Sequence, residues 1–173
     1  MSQSTEQVTG SVSELGLRLA GKYLTFVLGD EEYGVEILKV QEIIQMQRVT
    51  RVPRAPEFVR GVINLRGKVI PVVELRKKFG MPLQDDTEKT CIIVVMVQLG
   101  DQSVTMGIII DDVREVLDIP GENIEETPQF GASVDTEFIQ GIGKVGENVK
   151  MLLDIDKVLS GGELSNLTKI VGE

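Results

Sequence analysis

A mostly β protein made of two small barrels in tandem is the fold class this sequence predicts, and three observations lead there. First, the chain states one pattern twice. Tyr33-Gly34-Val35-Glu36-Ile37-Leu38-Lys39-Val40-Gln41-Glu42-Ile43-Ile44 aligns without gaps on Met106-Gly107-Ile108-Ile109-Ile110-Asp111-Asp112-Val113-Arg114-Glu115-Val116-Leu117, and each copy follows a Gly-Asp pair. Phe58-Val59-Arg60-Gly61-Val62 is answered by Phe138-Ile139-Gln140-Gly141-Ile142, and Val72-Val73-Glu74-Leu75 by Leu152-Leu153-Asp154-Ile155. That period is too long for a solenoid and marks two similar small units. Second, short apolar runs alternate with turn signals at the spacing of sandwiches and barrels rather than of alternating strands and helices. Third, 42% of residues are hydrophobic but only 4% aromatic, so the cores must rest on Val, Ile and Leu.

The elements follow in order. Residues 1–21 are rich in Ser, Thr, Gln and Gly and read as a mobile leader. Within it Leu15, Leu17 and Leu19 alternate, which is not helical spacing. Residues 23–28 form a strand, Gly29-Asp30-Glu31-Glu32 a turn, and 33–37 the returning strand of a hairpin. Ile37, Val40, Ile43 and Ile44 have helical spacing and predict a short helix. Pro53 and Pro56 end it, and Pro56 can open another short helix through Phe58 and Val62. Arg66-Gly67 turns the chain into a strand over 68–75. Pro71 cannot donate to a ladder, so this strand belongs at an edge or with that position outward.

Gly80-Met81-Pro82 and the polar stretch 84–88 mark the seam between the units. The second unit repeats the plan with strands at 91–99 and 104–110, a short segment through Val116, an acidic loop over 119–137, a closing strand at 149–155 and a C-terminal helical turn. The expected organisation is a leader at 1–21, a domain at 22–159 with units near 22–83 and 89–159, and a tail at 160–173. Each unit offers about five strands, the count of an SH3-like or OB-like barrel, and closure removes exposed edges. Two units side by side create a groove and two unlike outer surfaces, the geometry of a connector.

Composition narrows the chemistry. There is no histidine, so Ser-His and Cys-His nucleophiles and His-based zinc sites are excluded. Cys91 is the single cysteine and opens an apolar run, which fits a small buried hydrophobe in a reducing compartment. The longest apolar run, residues 91–97, has strand length, and the N-terminus lacks a signal pattern, so a cytoplasmic protein without membrane insertion is expected. The net charge of −9 is uneven. Residues 48–78 carry a local balance of +7 and residues 111–137 one of −8. A basic island in an acidic chain suggests docking to an acidic protein surface, or attraction between the two halves.

Other sites fail on inspection. Asp111, Asp112 and Glu115 could hold a hard cation on one helical face, but Leu38 and Lys39 replace the aspartates in the first copy and no third ligand group is evident. Asp154 and Asp156 alternate with Leu153 and Ile155 as outward residues of a half-buried strand. Gly141-Ile142-Gly143-Lys144-Val145-Gly146 lacks the Gly-Lys-Ser/Thr end of a phosphate loop. A nucleic-acid-binding barrel needs aromatic platforms on a positive groove, and the basic island holds only Phe58 and Phe79. No metal, cofactor or catalytic residue is assigned.

Gly29-Asp30-Glu31-Glu32-Tyr33-Gly34 through Ile43, then Phe58-Val59-Arg60-Gly61-Val62-Ile63-Asn64-Leu65-Arg66-Gly67 and Ile70-Pro71-Val72-Val73-Glu74-Leu75, resemble the CheW-like family of bacterial chemotaxis coupling domains. The resemblance covers about residues 23–159, and Gly-Val-Ile-Asn-Leu-Arg-Gly is its most specific part. It implies five-stranded barrels that exchange strands around a shared hydrophobic centre. It implies a non-enzymatic adaptor between methyl-accepting chemoreceptor tips and the regulatory domain of the histidine kinase CheA, monomeric alone and recruited to receptor arrays at the inner face of the membrane. By position it nominates Ile37, Val40, Glu42, Asn64, Arg66, Val113 and Val116 for the receptor, and Ile124 and Phe130 for the kinase. Family members often carry a basic residue near Glu125. A CheV-like coupling domain is the alternative within the family, although 173 residues leave no room for a receiver domain.

Overall fold

In the computed structural model, residues 12–128 and 137–160 are described. The chain enters through helix α1 (Glu14–Leu19), whose N-cap Ser13 accepts a hydrogen bond at its Oγ from the Gly16 N–H at 2.9 Å. Leu15 and Leu19, one turn apart, face inward and leave Leu17 66% exposed, so the leucine alternation is compatible with a helix. The leader expected to be mobile through Gly21 is therefore helical from Glu14.

Eleven strands follow: β1 (Gly21–Leu28), β2 (Glu31–Glu36), β3 (Val40–Gln45), β4 (Val59–Leu65), β5 (Lys68–Glu74), β6 (Cys91–Leu99), β7 (Gln102–Ile110), β8 (Asp112–Ile119), β9 (Ile124–Glu125), β10 (Ile139–Val145) and β11 (Asn148–Leu153). Two more short helices, α2 (Leu75–Lys78) and α3 (Ile155–Val158), follow β5 and β11 at matching places in the repeat.

The strands form a six-stranded sheet, β8-β1-β2-β11-β10-β9, and a five-stranded sheet, β3-β6-β7-β5-β4. The repeats are thus exchanged. The first hairpin, β1-β2, joins strands of the second repeat, while the second hairpin, β6-β7, inserts among β3, β4 and β5. Each exchange is sealed by a parallel pairing, Leu152↔Gly34 in one sheet and Val72↔Gly107 in the other. These glycines occur in both copies because space is short. A Cβ on Gly107 would lie 2.7 Å from Ile92 Cγ2, and one on Gly34 3.2 Å from Leu152 Cδ2.

Closure is also duplicated. After β3 the chain bends so that Thr50 pairs with Val62 of β4, and after β8 it bends so that Glu125 of β9 pairs with Ile142 of β10. The approach at the first closure leaves no room at Gly61, where φ is +154° and a Cβ would lie 2.1 Å from the Thr50 carbonyl oxygen.

The core has three parts. Ile63, Ile70, Val72, Ile92, Val94 and Ile109 fill the five-stranded sheet, and Leu19, Tyr23, Ile119, Ile124 and Leu152 fill the six-stranded one. Between them Phe26, Leu28, Val73, Leu75, Ile93, Val95, Ile108, Ile110, Leu153 and Ile155 make one shared centre. This explains the unbroken apolar run of β6. Ile92 and Val94 point to one core while Ile93 and Val95 point to the other, so both faces are buried. Each such side chain contributes about 1.5–3 kcal/mol on burial.

Three local expectations are corrected. The helix expected over Ile37, Val40, Ile43 and Ile44 is only a 3-10 turn at Ile37–Lys39, followed by strand β3. Its β-branched residues favour an extended chain, and pairing with β6 supplies the ladder. The helix expected after Pro56 is a turn leading straight into β4. Strand β5 is not an edge: it lies between β7 and β4, and Pro71 is buried. Its missing donor is tolerated because the parallel pairing with β7 begins one residue later, at Val72.

Candidate partner-binding surfaces

The sequence-specific Asn64-Leu65-Arg66-Gly67 stretch is the tip of the β4-β5 hairpin. Leu65 pairs with Lys68, so the loop has two residues, and both are left-handed, Arg66 at φ +52° and Gly67 at +86°. That is the type I′ arrangement whose twist matches a hairpin. Asn64 braces the turn by accepting the Gly67 N–H at its Oδ1, 2.7 Å away.

Arg66 projects as expected, with its side chain 69% exposed. It is not free, however. Its Nη1 donates to Glu42 Oε1 at 3.2 Å and its Nη2 to Oε2, a two-pronged contact onto β3. The Glu42 carboxylate, by hydrogen bond and by charge, raises the guanidinium above the ordinary arginine value. The fork fixes a planar donor at the surface in one orientation, suited to reading a carboxylate or amide edge.

The structure thus brings Glu42, Asn64 and Arg66 into one cluster on the five-stranded sheet. Ile37 and Val40 lie just before it, half-buried against the shared centre. Val113 and Val116 lie on β8, opposite Phe26 and Leu24 of β1. Val113 packs on the shared centre, whereas Val116 is 50% exposed. Sequence reasoning missed Ile43, which is 44% exposed. Its signal was present, since Ile43 aligns with Val116 in the duplication. Leu38, 93% exposed on the 3-10 turn, was also missed.

On edge strand β9 of the six-stranded sheet, Ile124 is 4% exposed and its side chain belongs to the core with Leu19, Tyr23 and Ile119. This corrects the expectation that Ile124 itself faces a partner. What β9 offers outward is Glu125, held by Lys144 at 2.6 Å. Phe130 lies outside the described residues.

Several of the remaining charges form structural pairs. Asp111 accepts from Arg76 at 2.9 and 2.6 Å and from the Gly29 N–H at 2.8 Å. Burial pushes its carboxyl up, but the guanidinium and the amide outweigh burial and hold it below the usual carboxylate value. Asp154 caps α3 through the Lys157 N–H, and Asp156 binds Lys39 at 2.8 Å and the Gln98 N–H at 3.0 Å. Among the described residues no cluster of acidic or cysteine side chains is arranged for a metal ion. Phe58 and Phe79 pack against the shared centre rather than standing out as base-stacking platforms. Lys78 Nζ sits 4.2 Å from the Phe58 ring centroid. No helix among the described residues is long and apolar enough to cross a membrane.

Against known proteins, residues 22–163 match the family model of the CheW-like domain. The chain is 40% identical over 156 residues to the chemotaxis protein CheW of Klebsiella aerogenes, covering 90% of this chain and 92% of that protein. It is 34% identical to the CheW of Treponema pallidum, covering 85% of this chain and 86% of its relative. The chemotaxis protein CheV3 of Helicobacter pylori is 30% identical over 79% of this chain, but over only 44% of its own length. Among solved structures, the scaffolding protein TtCheW from Thermoanaerobacter tengcongensis superposes with a TM-score of 0.72 at 33% identity, covering 84% of this chain and 96% of that one.

Proposed function

This chain belongs to the CheW-like domain family, and we propose from that premise that it is a chemotaxis adaptor coupling chemoreceptor tips to the regulatory domain of the kinase CheA. It transforms no substrate. One surface, centred on Glu42, Asn64 and Arg66 with Ile37, Val40, Val113 and Val116 beside it, takes the receptor. A second, around β9 and including Phe130, takes the kinase domain. The signal passes as a change in relative geometry of the gripped partners. The protein works in the cytoplasm as a monomer that joins arrays at the inner face of the membrane.

One observation carries the reading. The most family-specific stretch of sequence forms a turn whose arginine is held outward by a second nominated residue, Glu42. Interface hot spots favour such preorganised arginines. Likeness over most of the length of two CheW proteins supports the CheW coupling role.

Co-sedimentation of receptor-fragment assemblies with the isolated kinase tests this. The kinase is expected in the pellet only when this chain is present. A chain that binds neither partner, or only one at a time, ends the proposal.

A further inference from the structure

Two non-glycine residues in the described structure have left-handed backbones, and both are arginines at turn tips: Arg66 at φ +52° and Arg54 at φ +64°. Arg66 is explained by its hairpin and its bond to Glu42. Arg54 has neither explanation. It follows Pro53 in a turn closed by the Ala55 N–H donating to the Val52 carbonyl at 3.3 Å. That is the third position of a type II turn, a place for glycine or asparagine, where a long side chain is strained. No hydrogen bond or ion pair engages its guanidinium among the described residues.

The surroundings give this strained arginine a context. Arg51 and Arg54 line a groove of about 1130 Å³ under the segment between β3 and β4. Its apolar lining includes Val49, Val52, Pro53 and Leu83. Most carboxylates of the groove are already taken. Glu57 binds Lys77 at 2.9 Å, while Glu74 and Asp86 share Arg60 at 2.6 and 2.8 Å. Arg51 and Arg54 remain, with the exposed Arg48 just outside, against Asp85 alone.

We infer that this groove is a further docking site, for an acidic protein segment that places an apolar side chain between Val52 and Leu83 and its carboxylates on Arg51 and Arg54. Charge complementarity selects the occupant: two unpaired, weakly hydrated forks at the rim of an apolar channel match alternating carboxylate and aliphatic groups. A single-stranded nucleic acid fits less well, because the groove lining has no aromatic ring for base stacking and keeps carboxylates along its wall. None of these residues belongs to the proposed receptor or kinase surfaces, so the site stands apart from the adaptor reading.

The test is nuclear magnetic resonance titration of the full chain with the blocked hexapeptide acetyl-Glu-Leu-Glu-Glu-Leu-Glu-amide. The expected shifts fall on residues 49–56 and 83–86 and leave Gly67 unmoved. Arg51→Glu with Arg54→Glu weakens binding about tenfold or more. Arg54→Gly is the decisive second variant. Glycine suits φ +64°, so its Tm is expected to equal or exceed that of the unmodified chain, while peptide affinity still falls. Absence of shifts at these residues, shifts centred on Arg66, or unchanged affinity in Arg54→Gly each overturn the inference. Equal or tighter binding of an oligothymidylate at the same residues would overturn the protein-segment assignment.

Discussion

Arg76 and Asp111 face each other across the junction of the two sheets, joined by two hydrogen bonds of 2.9 and 2.6 Å. Arg76 follows β5 in the five-stranded sheet. Asp111 sits between β7 and β8, where the chain passes from one sheet to the other, and it also accepts the Gly29 N–H of the β1-β2 turn. The Arg76 side chain is only 9% exposed, so an unpaired guanidinium there would be costly. Asp111→Ala is therefore expected to cost about 3 kcal/mol, measured by urea unfolding.

The same pair gives a pH signature. Asp111 ionises below the ordinary carboxylate value in the folded protein. Its contribution is present above the unfolded pKa, near 4, and is lost as pH falls through the lower folded value. Urea midpoints collected down the acid limb should fall more gently in Asp111→Asn than in the unmodified chain.

Arg66→Glu should lower receptor-fragment affinity by roughly tenfold or more and leave the circular dichroism spectrum unchanged. Glu42→Arg combined with Arg66→Glu restores the internal pair with its charges reversed. If orientation alone mattered, affinity would return. If the partner reads positive charge at this point, calorimetry should find the double variant still weak.

Gly61→Ala places a methyl group 2.1 Å from the Thr50 carbonyl oxygen, in a backbone region unfavourable for alanine. Reopening the barrel closure is expected to cost about 3 kcal/mol. Thermal unfolding would show it as a Tm lower by roughly 6–12 °C. Gly67→Ala has open space around the new methyl and should lose only the conformational part.

The Tyr23 hydroxyl donates to the Leu19 carbonyl at 2.7 Å, and burial, then the nearby Glu36 carboxylate, push its pKa up to about 12. Folding favours the neutral phenol, so this stability is complete below pH 10 and fades as pH rises toward 12. Ultraviolet titration should show both tyrosines ionising above the ordinary value, since burial and then Glu31 also raise Tyr33, with the step near 12 belonging to Tyr23. Tyr23→Phe removes that step and costs about 1 kcal/mol for the lost hydrogen bond.

What the sequence disclosed was the pairing of like with like. The duplication located both hairpins, both closing strands and the matched glycines, because each is a local pattern of alternation and turn chemistry. The failures share a cause too. Ile37, Val40, Ile43 and Ile44 satisfy helical spacing, and only β6, about fifty residues away, decides that Val40, Ile43 and Ile44 lie extended. Pro71 looked like an edge residue because sequence does not reveal that the neighbouring parallel strand starts one residue later. At the candidate site, the projection of Arg66 was legible from its flanking Leu65 and Gly67, but its capture by Glu42 was not. Burial of Ile124 under Leu19 depended on a helix formed by a segment read as a leader.

The exchange of hairpins also sets an order of assembly on the ribosome. Once Ile110 has emerged, all strands of the five-stranded sheet exist, and it can close. The first hairpin to be synthesised, β1-β2, must wait for Leu153 before its own sheet is whole. Until then its apolar face has no permanent home. Neither repeat can be excised and expressed as a unit, since cutting at the seam would strand a hairpin on each side without the sheet that receives it.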